Sequence, residues 1–226
     1  IQVDEYYESL GLREIPYGRS TIDTIIPEER RMRPMASGVR MLLDVLHRSR
    51  LQFPGMAMGH LRRLRDEAVA HVQSRTVGGR SLVDYDQVQD RLAEIEAAVT
   101  TCSAMCAYTS VAAPITSDCS GMPLQANAIK TVITDMMQSA GQSVLQLLGA
   151  KGYQRSELAA RAVIGSRPFQ IFEGSNDILY EQIAEAVTKG MKRSGEANLA
   201  HYLRHLDLTT RIADRVQRQF DVRIET

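Results

Sequence analysis

An excess of charge of either sign is missing from this 226-residue chain: Lys and Arg together number 27, and so do Asp and Glu. That balance gives no net field to attract nucleic acid or an anionic membrane surface, and neither partner is expected. Cysteine is scarce. Cys102, Cys106 and Cys119 are an odd number without a secretory signature, so a disulfide framework is not expected and a reducing, cytoplasmic compartment is the default. No run of about 18 apolar residues is present to cross a bilayer. Glycine (15) and proline (7) are few and hydrophobic residues make up 44%, as in an ordered globular protein with one large core, or one domain plus part of another. Cys102 and Cys106 share a helix face, but none of His47, His60, His71, His201 or His205 is spaced to join them, so small core residues and no metal are expected.

What is present is mostly helical periodicity. Residues 1–30 hold Pro16, Gly18 and Pro27 and the alternation from Ser20 to Ile25, which read as short strands and turns. From about Ser37 the pattern changes. Val39, Leu42, Leu43, Val45 and Leu46, then Leu61, Leu64, Ala68 and Val72, predict one long helix kinked at Pro54. A turn at Val77, Gly78 and Gly79 leads to a second helix over 85–109, with Val88, Leu92, Ile95 and Val99 on one face. A third spans 122–149, with Ala126, Ile129, Val132, Ile133 and Met136 inward. A fourth follows Gly174, with Ile178, Ile183 and Val187 on its apolar side, and the four suggest a bundle. The segment 195–218 is amphipathic again, through Leu199, Tyr202, Leu203, Leu206, Ile212 and Val216. Its basic residues Arg204, Arg211, Arg215 and Arg218 read as a solvated face.

One carboxylate stands out. Glu173 sits in the run Gln170, Ile171, Phe172, Glu173, Gly174, and burial among such neighbours would desolvate it and make it a stronger base. Gly174 allows a backbone or a flat ring to approach closely, and Ser175 and Asn176 are good helix caps. An exposed loop glutamate ahead of a helix is the alternative on spacing alone.

The segment 146–180 resembles the C-terminal end of the acyl-CoA dehydrogenase family. Its first element there is a QxxGGxGY-type stretch, here Gln146, Leu147, Leu148, Gly149, Ala150, Lys151, Gly152, Tyr153. The second carries the catalytic glutamate, here Ile171, Phe172, Glu173, Gly174, Ser175. Upstream, Arg50 and Gly59 fit the family's R(x8)G helix, Arg75 and Gly79 its RxxFG element, and residues 10–27 the last strands of its middle β domain. The resemblance covers roughly residues 8–190. It implies a mainly α fold, a C-terminal four-helix bundle preceded by a remnant of the β domain, divided as 1–33, 34–192 and a helical extension 193–226. The chain opens at Ile1 inside that β domain, so the front half is expected to be missing, cleaved, or supplied by another chain.

By resemblance, Glu173 removes the α-proton of an acyl thioester while FAD takes the β-hydride. Ser49 stands where some members carry their base, which leaves Glu173 as the candidate. Arg50 orients the catalytic loop and, with Gly174, belongs to the substrate side. Arg75, Gln146, Gly149, Ser175 and Asp177 match positions that meet FAD, Arg75 typically on the adjacent subunit. The substrate implied is an acyl-CoA or acyl-carrier-protein thioester, the assembly a homodimer or homotetramer, and the oxidant an electron-transfer flavoprotein. Gly78 replaces the phenylalanine of RxxFG, Asp86 its downstream glutamine, Ala150 the second glycine of QxxGG, and Ile164 with Gly165 an Arg-Asp pair, all departures that bear on the flavin grip. Two alternatives stay open: a non-catalytic helical subunit of a hetero-oligomer, and a flavin oxidase or monooxygenase of the same fold.

Overall fold

A computed structural model describes residues 1–33, 36–206 and 213 of the chain. They fall into two compact units, residues 1–176 and 177–226.

The first unit begins with an antiparallel hairpin, β1 (Gln2–Tyr6) and β2 (Gly18–Thr21), with Gln2 opposite Thr21 and a bulge between Val3 and Glu5. Tyr7 and Tyr17 close it, ring centroids 5.2 Å apart. The expected strand through Ile25 stops at Thr21, and Ile22 and Ile25 are exposed. Two strands with no covering layer have nothing to bury these side chains against.

Helix α1 (Gly38–Ser74) starts at Ser37, whose side chain accepts from the Arg40 amide at 3.1 Å, and it runs unbroken through Pro54. Proline removes the amide that would bond the Arg50 carbonyl one turn earlier, which bends a helix without ending it. Its second half behaves as the periodicity predicts: Leu61, Leu64, Ala68 and Val72 are almost completely buried. The first half differs. Val39, Leu42 and Val45 are 68%, 65% and 59% exposed, and the buried side is His47, Arg50 and Leu51. Polar bonds hold that side to the loop ahead of α3: the Cys119 amide donates to Asp44 at 2.6 Å, and His47 Nδ1 lies 2.9 Å from the Cys119 carbonyl. Hydrogen bonding rather than apolar burial therefore decides which face turns inward here.

Strands β3 (Thr76–Val77) and β4 (Arg80–Ser81) form a second small hairpin. Gly78 and Gly79 both have positive φ, 58° and 84°, as a primed two-residue turn demands. The glycine at 78 is thus required by the turn. Tyr85 completes the corner, donating to the Val77 carbonyl at 2.7 Å with the Arg80 guanidinium over its ring.

Helices α2 (Asp86–Ala112) and α3 (Pro123–Leu148) pack with α1 around one core of Leu61, Leu64, Ile95, Cys102, Ile133 and Val144. Pro123 starts α3 with its preset φ, and Gly149 ends it at φ 58° and ψ −138°, a conformation that suits glycine. Cys102 donates to the Pro54 carbonyl at 3.2 Å, and burial with Cys106 alongside pushes its thiol up to about 12, so it stays protonated. Among the described residues no group of His, Cys, Asp and Glu is placed to hold a metal, and no helix is long and apolar enough to cross a membrane. A short helix not expected from periodicity, α4 (Leu158–Ser166), packs on α3 through Ala159 and Ala162. At nine residues it is too brief to show a repeating stripe.

The second unit holds α5, which opens at the boundary (Asn176–Ser194), and α6 (Leu199–Arg204). Leu179 and Met191 are buried, with Ile183 and Val187 partly buried at the same i+4 spacing between them, so of the expected apolar face only Ile178 is turned outward. Asn198 caps α6 by accepting from the Ala200 and His201 amides. Of the expected C-terminal helix, Arg211, Ile212, Arg215, Val216 and Arg218 lie outside the described residues.

The core sets an expectation for stability. Leu61 is fully buried, and Leu61→Ala should lower the unfolding free energy by about 2–5 kcal/mol with an unchanged denaturant slope. A loss below about 1 kcal/mol in chemical denaturation would contradict its placement in the core.

Candidate active site

The site is assembled from α1, α3 and the loop after α4. On α1, Ser49, Arg50 and Phe53 lie within one turn and share a face. On α3, Asn127, Lys130, Thr131 and Thr134 recur at i, i+3, i+4, i+7, and all four are buried. After α4, a 3-10 turn (Arg167–Gln170) delivers the loop containing Glu173.

Glu173 has φ 57°, a left-handed conformation uncommon for a residue with a side chain, and Gly174 follows at 94°. Holding Glu173 there costs of order 1–3 kcal/mol. Two cations oppose that cost. Arg50, only 6% exposed, directs Nε at 3.0 Å and Nη2 at 2.5 Å onto the Glu173 carbonyl, and Nη1 at 2.6 Å onto Asn127 Oδ1. Lys130, fully buried, donates to the Gly174 carbonyl at 2.9 Å and to Asn176 Oδ1 at 2.8 Å. A hydrogen bond from a charged group contributes about 1.5–3 kcal/mol, so the set outweighs the strain. Burial lowers the Arg50 pKa, and the nearby Glu173 charge opposes the change.

The loop is also tied on both sides. Gln170 donates to Asp135 Oδ1 at 2.6 Å, and Asn176 Nδ2 donates to the same oxygen at 2.7 Å and to Thr134 Oγ1 at 3.0 Å. Asn176, expected as a helix cap, therefore spends its side chain on α3. Phe53, Phe169 and Phe172 form a block beside the loop, with centroids 5.1 to 5.9 Å apart.

The carboxylate itself is half-buried. Ser49 Oγ donates to Oε1 at 2.5 Å, while Oε2 is screened from solvent without a hydrogen-bond partner. One oxygen is held and the other is buried without a partner.

The remaining sequence-selected residues lie elsewhere. Gly174 is exposed apart from its bonded carbonyl, and Ser175 is half-buried. Arg75 is the exposed C-cap of α1, twenty-five residues beyond Arg50, or about 37 Å at the helical rise. Gln146 and Gly149 are exposed at the end of α3. Burial, then the charges of Lys151 and Arg75, lower the His71 pKa, and Glu67 opposes them; Lys151 Nζ also lies 3.9 Å from a Glu157 carboxylate oxygen. Asp177 begins the second unit and is exposed. Sequence reasoning missed Asn127, Lys130, Thr134, Asp135 and Gln170. The polar stripe at helical spacing inside apolar α3 was the available signal.

Desolvation, reinforced by Arg50, lowers the Lys130 pKa from 10.5 to about 8, against the pull of Glu173 and Asp135. Between those values the unfolded chain binds the extra proton, so stability rises with pH across the window. This contribution is complete above 10.5 and lost as pH falls through about 8. Denaturation of the wild type and Lys130→Met should diverge accordingly, with the wild type gaining relative to the variant from pH 8 to 10.5. A difference independent of pH would contradict the burial of a charged lysine.

The model for the acyl-CoA dehydrogenase C-terminal domain matches residues 36–188. The human very long-chain specific acyl-CoA dehydrogenase, mitochondrial, is 24% identical over 172 residues, covering 75% of this chain and 26% of that protein. The probable acyl-CoA dehydrogenase FadE10 of Mycobacterium tuberculosis is 26% identical over 208 residues, covering 87% of this chain and 32% of its own. The solved prolyl acyl carrier protein oxidase AnaB superposes with a TM-score of 0.74 at 15% identity, covering 81% of this chain and 48% of that one, a likeness of fold alone. The chain thus spans about a quarter of the human relative's length. With residues 36–188, more than half of its length, matched by the family's C-terminal domain, this chain belongs to the acyl-CoA dehydrogenase family.

Proposed function

We propose that this chain supplies the base and part of the cofactor grip of a flavin-dependent acyl thioester dehydrogenase, with Glu173 removing the α-proton. The observation that carries this reading is the carboxylate with Oε1 held by Ser49 and Oε2 screened from water with no partner. A sequestered acceptor is costly to leave unmade, and an α C–H brought against it is the group this chemistry calls for.

The α-proton of a thioester is a far weaker acid than a carboxylic acid, so its removal needs a base shielded from water. The block of Phe53, Phe169 and Phe172 provides apolar cover beside the loop. Glu173 takes the proton on Oε2, and the Ser49 hydroxyl on Oε1 fixes the rotation of the carboxylate. Arg50 keeps the backbone of the base in place, and Gly174 leaves room for a flat group next to it.

FAD, when bound, supplies the acceptor for the β-hydride, which no side chain can take. Arg75, Gln146 and Gly149, with Ser175 and Asp177, are the residues that would hold it. The Arg75 guanidinium suits a pyrophosphate, and a Cβ placed on Gly149 would meet nothing within 4 Å, which leaves its backbone open to approach. With about 37 Å of α1 between Arg50 and Arg75, one chain serves two cofactors, its base facing one and its cations the phosphates of another. A homodimer or dimer of dimers follows. The substrate is an acyl-CoA, as in the name of the human relative, or the corresponding carrier-protein thioester.

In flavin-loaded protein, Glu173→Gln should slow anaerobic bleaching of the flavin by an acyl thioester by about 10²- to 10⁴-fold while the flavin content stays at its wild-type level. Bleaching at the wild-type rate would eliminate Glu173 as the base.

A further inference from the structure

We propose that Lys130 is a positioning residue for this reaction: it clamps the Gly174 carbonyl from α3 as Arg50 clamps the Glu173 carbonyl from α1, and so fixes the backbone that aims Glu173. The proposal rests on Glu173 being the base.

A fully buried lysine is rare, and its helix packs without needing a charge. Its ammonium donates to two groups of the segment around the base, the Gly174 carbonyl at 2.9 Å and Asn176 Oδ1 at 2.8 Å. Neither serves the core. Asn176 carries the restraint on to Thr134 and Asp135, and Asp135 also receives Gln170, so Lys130 is the centre of a frame that meets the loop before and after Glu173. Two successive carbonyls are thereby pulled toward different helices, which a left-handed pair at φ 57° and 94° requires if it is not to relax.

The charges explain how a cation is tolerated there. Lys130 faces Arg50 on α1, Asp135 on its own helix and Glu173 on the loop, two positive and two negative groups in all. The two carboxylates offset part of the penalty that burial and the Arg50 charge impose on the ammonium. Replacing the lysine by an apolar residue of similar length would leave the Gly174 carbonyl without its cation and free the loop. Misplacement of a base by about 1 Å is enough to cost roughly a hundredfold in rate.

Two variants of the flavin-loaded protein test this, Lys130→Met and Lys130→Gln, the second keeping a neutral donor. Amide hydrogen exchange over residues 168–178 should speed by about tenfold or more in Lys130→Met and by less in Lys130→Gln. Flavin bleaching by substrate should fall about a hundredfold in Lys130→Met, with the affinity for a non-reacting thioester analogue little changed. Exchange in this loop at the wild-type rate in either folded variant overturns the proposal, as does an undiminished bleaching rate. Glu173→Gln serves as the separate control. It abolishes bleaching if Glu173 is the base, yet leaves the loop's exchange protected, because the clamp holds backbone atoms and not the carboxylate.

Discussion

Two buried cations on two consecutive carbonyls are the constraint from which the rest of this site follows. Arg50 comes from α1 and Lys130 from α3, and they meet the carbonyls of Glu173 and Gly174. For both to reach, the two helices must be packed in one register, and that is what the apolar core between them secures. The left-handed backbone of Glu173 would relax in a free loop. Here several charge-assisted bonds oppose a strain of order 1–3 kcal/mol. Phe53, on the same face of α1 as Arg50, joins the aromatic block beside Glu173.

The bundle has two chemical ends. At one, a carboxylate with a single open oxygen sits beside apolar rings. At the other, Arg75 and Lys151 flank His71 near the exposed Gln146 and Gly149. About 37 Å of α1 separates Arg50 from Arg75, a distance no side chain bridges. The proposed division of labour between subunits is thus a consequence of helix length.

Much of this was legible in the residues. Three long helices followed from apolar spacing, and the setting of Glu173 drew attention before any contact was known. The helix near Val39 was legible but its buried face was not, because periodicity reports a stripe and not what covers it, and there the polar bonds of Asp44 and His47 tie α1 to the Cys119 loop. Gly78 looked like the loss of a ring, whereas the hairpin needs glycine at that backbone angle. Lys130 was invisible for a more general reason. A lysine in an apolar helix reads as a solvated position, and only its partners, 44 and 46 residues away in sequence, show that it points inward.

The central claim is that Glu173 is held with Oε2 open for an α-proton. It is tested most directly by solving the flavin-loaded protein with a non-reacting acyl thioester bound. The account predicts the α-carbon about 3–3.5 Å from Glu173 Oε2, with Ser49 still on Oε1 and the Arg50 and Lys130 bonds to the loop intact. A thioester bound with its α-carbon facing another side chain, or a Glu173 turned away with its carbonyl released, would contradict it.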